Sequence, residues 1–359
     1  MNDQPIIDPK QVHETQFLEH TRQLLGCRFS PCGRFVFAGG VDNLVHRWEL
    51  ESGQHTAIPS HGSWVAALAF HPDGQRLITS DYIGCLRCWN YADEKPVSVW
   101  SLDDAHAAAI RAVSISADGK YIATTGHDRT VRVSSTTDGK ALHEFAGHSS
   151  PAFAIAFHPD SKSVVSAEQF GVIKHWDVAT GKHVRDIDGG ALWTDASLNG
   201  GAHTCGIRCL RFDATGDVLA SGGLTELTDG DRRGGDASIL LLNWSDGSRK
   251  DLLAAKKAGY VENMVFHPTG AVIAACLTQE NGSVQFWQAG NNAPVHQFKA
   301  PGRDIDLHPD GERFAICEWK LHGKAGNNAS TEELVPFKSH HGAIRIHSLT
   351  PAPAAVQKA

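Results

Sequence analysis

The chain has 359 residues, 41% hydrophobic and 20% charged, a balance that excludes a wholly disordered chain and supplies apolar material for one large or two ordinary domains. With 33 Lys and Arg against 40 Asp and Glu the net charge is -7, so no overall basic field exists to hold a phosphate backbone, and nucleic acid is not an expected partner. The start Met1-Asn2-Asp3-Gln4-Pro5 has no basic residue and no apolar run, and nowhere do 18 apolar residues follow one another, so neither secretion nor a membrane span is expected.

A cytoplasmic location follows as an expectation. Eight cysteines are too sparse for a disulfide scaffold and are expected as free thiols. Cys85 and Cys88 spell C-x-x-C, but Cys85 to Trp89 reads as a strand, on which residues three apart face opposite ways and cannot share a metal.

In chain order, residues 1–10 are expected to be a mobile tail, 11–350 a single domain and 351–359 a second mobile tail. A turn recurs through the domain: Phe29-Ser30-Pro31-Cys32-Gly33, Phe70-His71-Pro72-Asp73-Gly74, Phe157-His158-Pro159-Asp160-Ser161, Phe266-His267-Pro268-Thr269-Gly270 and Leu307-His308-Pro309-Asp310-Gly311. Weaker copies run from Ile115 to Gly119 and from Phe212 to Gly216. Successive proline slots are 41, 45, 42, 55, 54 and 41 residues apart, which makes seven units. Nine residues before the apolar residue of the turn stands a histidine in the first five units: His20, His61, His106, His148 and His203. Seventeen after the proline slot come Trp48, Trp89 and Trp176, with Ser134 in unit three; unit six reaches Trp287 after nineteen. Between these markers lie short β-rich runs such as Val65 to Phe70, Arg76 to Ser80 and Cys85 to Trp89, separated by Gly, Pro and Asp turns. Three runs per unit and one between units make a four-stranded blade, and no helical apolar period competes with it.

The pattern resembles the WD-repeat β-propellers, with Gly147-His148 and Trp176-Asp177 as the literal match to the family's markers. The resemblance covers roughly residues 12 to 349 and implies an all-β, seven-bladed propeller. It also implies a bracing tetrad of histidine, strand hydroxyl, turn aspartate and tryptophan in each blade. Unit one offers His20, Asp42 and Trp48 with Ala38 for the hydroxyl; unit two offers His61, Thr79 and Trp89 with Ile83 for the aspartate. Unit three has His106, Thr124 and Asp128 with Ser134 for tryptophan, and unit four His148, Ser166 and Trp176 with Phe170 for the aspartate, so no unit reads as complete. A closed ring is expected to leave no exposed strand edge, with the segment from Val12 to Phe17 supplying the outer strand of the seventh blade and a monomer as the default state.

A bare ring of seven units needs about 290 residues, leaving about 70 for tails and insertions. The insertions fall between Trp176 and His203, at Thr225 to Gly235, and at Lys320 to His341. In the family's geometry all three open on one rim, the top face, and loops of that length usually carry function. The first includes Trp193; the third holds Leu334-Val335-Pro336-Phe337, an apolar cluster suited to a partner.

Family members place partner-contacting side chains three residues after the histidine, a slot that here holds Trp64 and Tyr260; the slot before the turn aspartate adds Tyr82, His127, Gln169 and Glu280. Large aromatics are the commonest binding hot spots. The expected function is a non-catalytic adaptor that takes a protein or peptide on this face, with no cofactor and no metal. The alternative is a propeller-based hydrolase or metal-dependent enzyme using Glu226, Asp229, Asp231 and Asp236 of loop 225–236, although the segment lacks the calcium-loop pattern. His322, His340 and His341 are a weaker ligand set, and no nucleophile elbow, zinc-protease helix or phosphate loop occurs.

Overall fold

A computed structural model describes residues 8–193, 206–226, 235–278, 282–319 and 341–352. Expected features that lie outside the described residues are His203, Glu280, Phe337, most of the acidic loop, His322 and His340, and most of both tails. Residues Pro9–Gln11 form one 3-10 turn, capped by the Asp8 carboxylate.

The described strands form seven four-stranded antiparallel sheets. The first strand, β1 (His13–His20), joins the last blade. Blade one holds β2 (Leu24–Phe29), β3 (Phe35–Gly40), β4 (Leu44–Glu49) and β5 (His55–Pro59); blade two β6 (Val65–Phe70), β7 (Arg76–Asp81), β8 (Leu86–Asn90) and β9 (Val97–Leu102). Blade three holds β10 (Ile110–Ile115), β11 (Tyr121–Gly126), β12 (Val131–Ser135) and β13 (Ala141–Phe145); blade four β14 (Ala152–Phe157), β15 (Ser163–Glu168), β16 (Val172–Asp177) and β17 (Lys182–Asp188). Blade five holds β18 (Cys209–Phe212), β19 (Val218–Thr225), β20 (Asp236–Asn243) and β21 (Arg249–Ala255); blade six β22 (Tyr260–Phe266), β23 (Val272–Leu277), β24 (Gly282–Trp287) and β25 (His296–Lys299). Blade seven is β26 (Gly302–Leu307), β27 (Arg313–Trp319) and β28 (Gly342–Ser348), with β1 paired to β28 from His13 opposite Ser348 to His20 opposite Gly342.

One blade has two apolar faces and cannot bury either alone, so the core forms between blades. Among the described residues seven apolar clusters fill the seams: Phe37 and Val45 of blade one pack on Leu68 and Trp89 of blade two, and Leu24 and Val36 of blade one pack on Ala315 and Ile344 of blade seven. Middle strands are therefore buried along their length, as in β3 and β23, whereas outer strands such as β5 and β9 alternate towards solvent.

Two expectations need correction. Closure does not remove all edges: β5, β9, β13, β17, β21, β25 and β1 each end their sheet. The ring joins blades by their faces, and every fourth strand keeps an outward side. The tetrads are also fuller than the slots suggest. His61 Nδ1 lies 3.0 Å from Asp81 Oδ2, its Nε2 lies 2.8 Å from Thr79 Oγ1, and Trp89 Nε1 donates to the same hydroxyl at 2.9 Å. His148 pairs likewise with Glu168 and Ser166, and Trp176 Nε1 donates to Ser166 Oγ. The carboxylate comes from the last residue of the second strand in these blades, two positions after the hydroxyl, so Ile83 and Phe170 are not needed for it. Blade three uses Asp128 and Thr124 around His106 as expected.

The turn histidines have a second role that spacing does not reveal. His71, His158, His267 and His308 each reach the turn glycine carbonyl of the next blade, at Gly119, Gly216, Gly311 and Gly33, over 2.7 to 3.1 Å. The last of these crosses the closure seam. Gly33 is required twice there, because its φ is +70° and an added Cβ would sit 2.8 Å from the His308 ring.

Candidate functional site: the channel mouth

The first strands β2, β6, β10, β14, β18, β22 and β26 surround a central cavity of about 560 Å³. Strands alternate in direction, so the connection from one blade to the next and the turn between second and third strands open on the same rim. Trp64 lies on the former and Tyr82 on the latter.

On this rim aromatic rings and guanidinium groups alternate in a continuous band. Trp64, 48% exposed, meets Tyr82 edge to face at 5.4 Å, and the Tyr82 amide donates to the Trp64 carbonyl. Arg111 lies over Tyr82 and over Phe153, 5.2 Å from each centroid, and donates to the Tyr82 hydroxyl. Arg208 lies over Phe153 at 5.4 Å and over Tyr260 at 5.1 Å. His127 packs edge-on against Phe153 at 5.6 Å. Each such cation–ring contact contributes about 0.5–2 kcal/mol and holds the guanidinium plane in place.

Burial lowers the Arg111 pKa from its ordinary value, and the nearby Arg303 and Arg208 guanidiniums lower it further against the pull of Tyr82 and Glu262. Among the described residues at the mouth, three guanidiniums, Arg111, Arg208 and Arg303, stand against the one carboxylate of Glu262. Burial and Arg111 also hold the His127 imidazole below the usual histidine range. Deeper in the channel the charges satisfy one another: Arg28 pairs with Asp304 at 2.7 Å, Arg211 donates to Asn263, Asn263 to Asp304, and the Phe29 amide to Asp306. Burial lifts the Asp306 carboxyl to about 6. That inner network braces the ring.

Of the residues expected at the partner face, Trp64, Tyr82, His127 and Tyr260 come together in the band. Gln169 and Trp193 belong to the sector of blade four, where Trp193 meets Phe170 at 6.0 Å. The sequence reading passed over Arg111, Phe153, Arg208, Glu262 and Arg303. They share a signal, standing five residues after the histidine slot in units three to seven, and all five line the channel. Among the described residues the acidic loop gathers no ligand set: Asp236 accepts from the Lys257 amide at 2.8 Å, a turn-capping role.

The family model of the WD domain, G-beta repeat, matches residues 10–49, 53–90, 95–133, 139–177 and 197–230, together more than half of the chain. This chain belongs to the WD-repeat family. Among curated WD-repeat relatives, telomerase protein component 1 of Rattus norvegicus is 22% identical over 294 residues, which cover 80% of this chain and 10% of the rat protein. The U3 snoRNP-associated protein-like EMB2271 of Arabidopsis thaliana is 24% identical over 75% of this chain and 54% of its own. The guanine nucleotide-binding protein subunit beta of Nicotiana tabacum is 26% identical over 45% of this chain and 47% of its own. This WD-repeat chain thus spans from a tenth to about half the length of these relatives. No helix among its described residues is long and apolar enough to cross a membrane.

Proposed function

We propose that this WD-repeat protein is a non-catalytic adaptor that docks an acidic segment of a protein partner at the channel mouth. The observation that carries the reading is the band Trp64, Tyr82, Arg111, Phe153, Arg208 and Tyr260, in which rings fix the guanidiniums before any partner arrives. Arginine presents a planar fork of donors that matches carboxylate, and exposed Trp64 with half-buried Tyr82 and Tyr260 gives large contact area at small entropic cost. The names of the relatives, a telomerase component, a snoRNP-associated protein and a G-protein subunit, agree with work inside assemblies. The seven described cysteines are unpaired, in keeping with a reducing compartment such as the cytoplasm. The same reading takes the protein as a monomer outside its complex.

Affinity capture of the tagged full chain from its native cells, beside Trp64→Ala combined with Tyr260→Ala, tests the reading. A stoichiometric protein partner lost from the folded double variant is the expected result. Equal capture by both would count against this face, and recovery of RNA in place of protein would overturn the proposed partner class, since stacked aromatics and arginines also suit single-stranded bases.

A further inference from the structure

Blade one departs from the bracing pattern at the point where the two ends of the ring meet. Ala38 stands where blades two to four have Thr79, Thr124 and Ser166, and His20 at the end of β1 faces other imidazoles instead of a hydroxyl. Its ring centroid lies 4.0 Å from that of His46 on β4 and 5.9 Å from that of His55 on β5, with His46 and His55 5.2 Å apart. One ring nitrogen of each lies within 4.8 Å of those of the other two. His46 Nδ1 and His55 Nε2 are 3.0 Å apart. Two imidazole nitrogens on a tetrahedral zinc ion are about 3.3 Å apart, for metal–nitrogen bonds of about 2.0–2.1 Å.

The outer nitrogens are tied down in the manner that metal-binding imidazoles need. His20 Nδ1 lies 3.0 Å from the Arg22 carbonyl oxygen, and His46 Nε2 lies 3.1 Å from Asp42 Oδ1. Donation from His46 Nε2 to Asp42 turns the lone pair of His46 Nδ1 inward, whereas His20 Nδ1 meets both the Arg22 carbonyl oxygen at 3.0 Å and the Arg22 amide, which donates to it at 3.1 Å; in the tautomer that donates to the carbonyl, the His20 Nε2 lone pair also faces inward. Asp42 Oδ2 is 3.7 Å from His20 Nε2, too far for a hydrogen bond and near enough to add negative charge. His46 is 1% exposed while His55 is open to solvent, which gives an ion a route in.

We propose that His20, His46 and His55 form a three-imidazole site for a first-row divalent metal ion of the zinc type, with Asp42 orienting His46. Two of the ligands belong to the third and fourth strands of blade one and the third to the closing strand of blade seven. The ion would therefore staple the seam that closes the ring.

The test uses the full, tag-free chain, stripped with chelator and carrying Cys32→Ser, because Cys32 is an exposed thiol that could compete for metal. Titration with zinc chloride should show one ion per chain and raise the melting temperature. Cobalt(II) should give the visible bands of a tetrahedral nitrogen–oxygen site without a thiolate charge-transfer band. His55→Ala should fold and lose the cobalt bands, its metal-free melting temperature falling only by the loss of the His46 contact and the Trp48 stack, and Asp42→Asn should weaken zinc about 10–100-fold. Should His55→Ala fail to fold, His20→Gln takes its place. Absence of binding, or binding unchanged in the histidine variant, would overturn the proposal and leave the three rings as a hydrogen-bonded brace.

Discussion

Thr79 serves two neighbours at once: its fully buried hydroxyl accepts from Trp89 Nε1 and faces His61 Nε2, whose other nitrogen is held by Asp81. Thr124 serves only His106, because blade three has Ser134 in the tryptophan position. Leaving a buried polar group unpaired costs about 1–3 kcal/mol. Thr79→Val should therefore lose about 2–4 kcal/mol in chemical denaturation and Thr124→Val about half as much. Equal losses would mean that the tryptophan contact adds nothing. The histidine and tryptophan positions were legible from spacing, since each sits at a fixed offset from the turn, and the hydroxyl position followed from the family resemblance. Asp81 and Glu168 were not, because a carboxylate can reach the imidazole from the strand end as well as from the turn, and Glu168 has an extra methylene to do so.

Strand order follows from the repeat, and the turn that marks each unit also joins it to its neighbour. His308 donates across the closure seam to the Gly33 carbonyl at 2.9 Å and stacks edge-on with Phe29 at 4.9 Å. Beside it, β1 completes blade seven, and Arg345 of β28 reaches both Glu14 of β1 and Glu318 of β27. His308→Ala should cost about 1–2 kcal/mol, a net hydrogen bond and part of a ring contact. The loss should appear as earlier hydrogen exchange in β1 and β2 than in blades three and four. Uniform exchange would show that the seam is no weaker than the rest. The turns were legible because proline and glycine fix their backbone; the staples were not, since a histidine in a turn does not disclose which blade it faces.

Across the whole molecule, a frame that buries its core in seven seams leaves the inner strand ends free to vary, and there the chain departs from its repeat. Leu25 and Ala66 occupy the channel slot in blades one and two, while Arg111, Phe153, Arg208, Glu262 and Arg303 occupy it in the others. Trp64 and Tyr260 could be selected from the sequence as large aromatics in a known register. The arginines could not, because charge on an inner strand reads equally as a brace, which is what Arg28 and Arg211 are. The proposed docking face is this mouth and not the opposite rim. A photo-crosslinking side chain placed at exposed Ile83, beside Tyr82, and in a second variant at exposed Thr137, on the opposite rim, tests it in native cells. Crosslinks to one polypeptide from position 83, none from 137, and their loss on raising the salt concentration are the predicted result. Crosslinks from 137 alone, or to RNA, would contradict it.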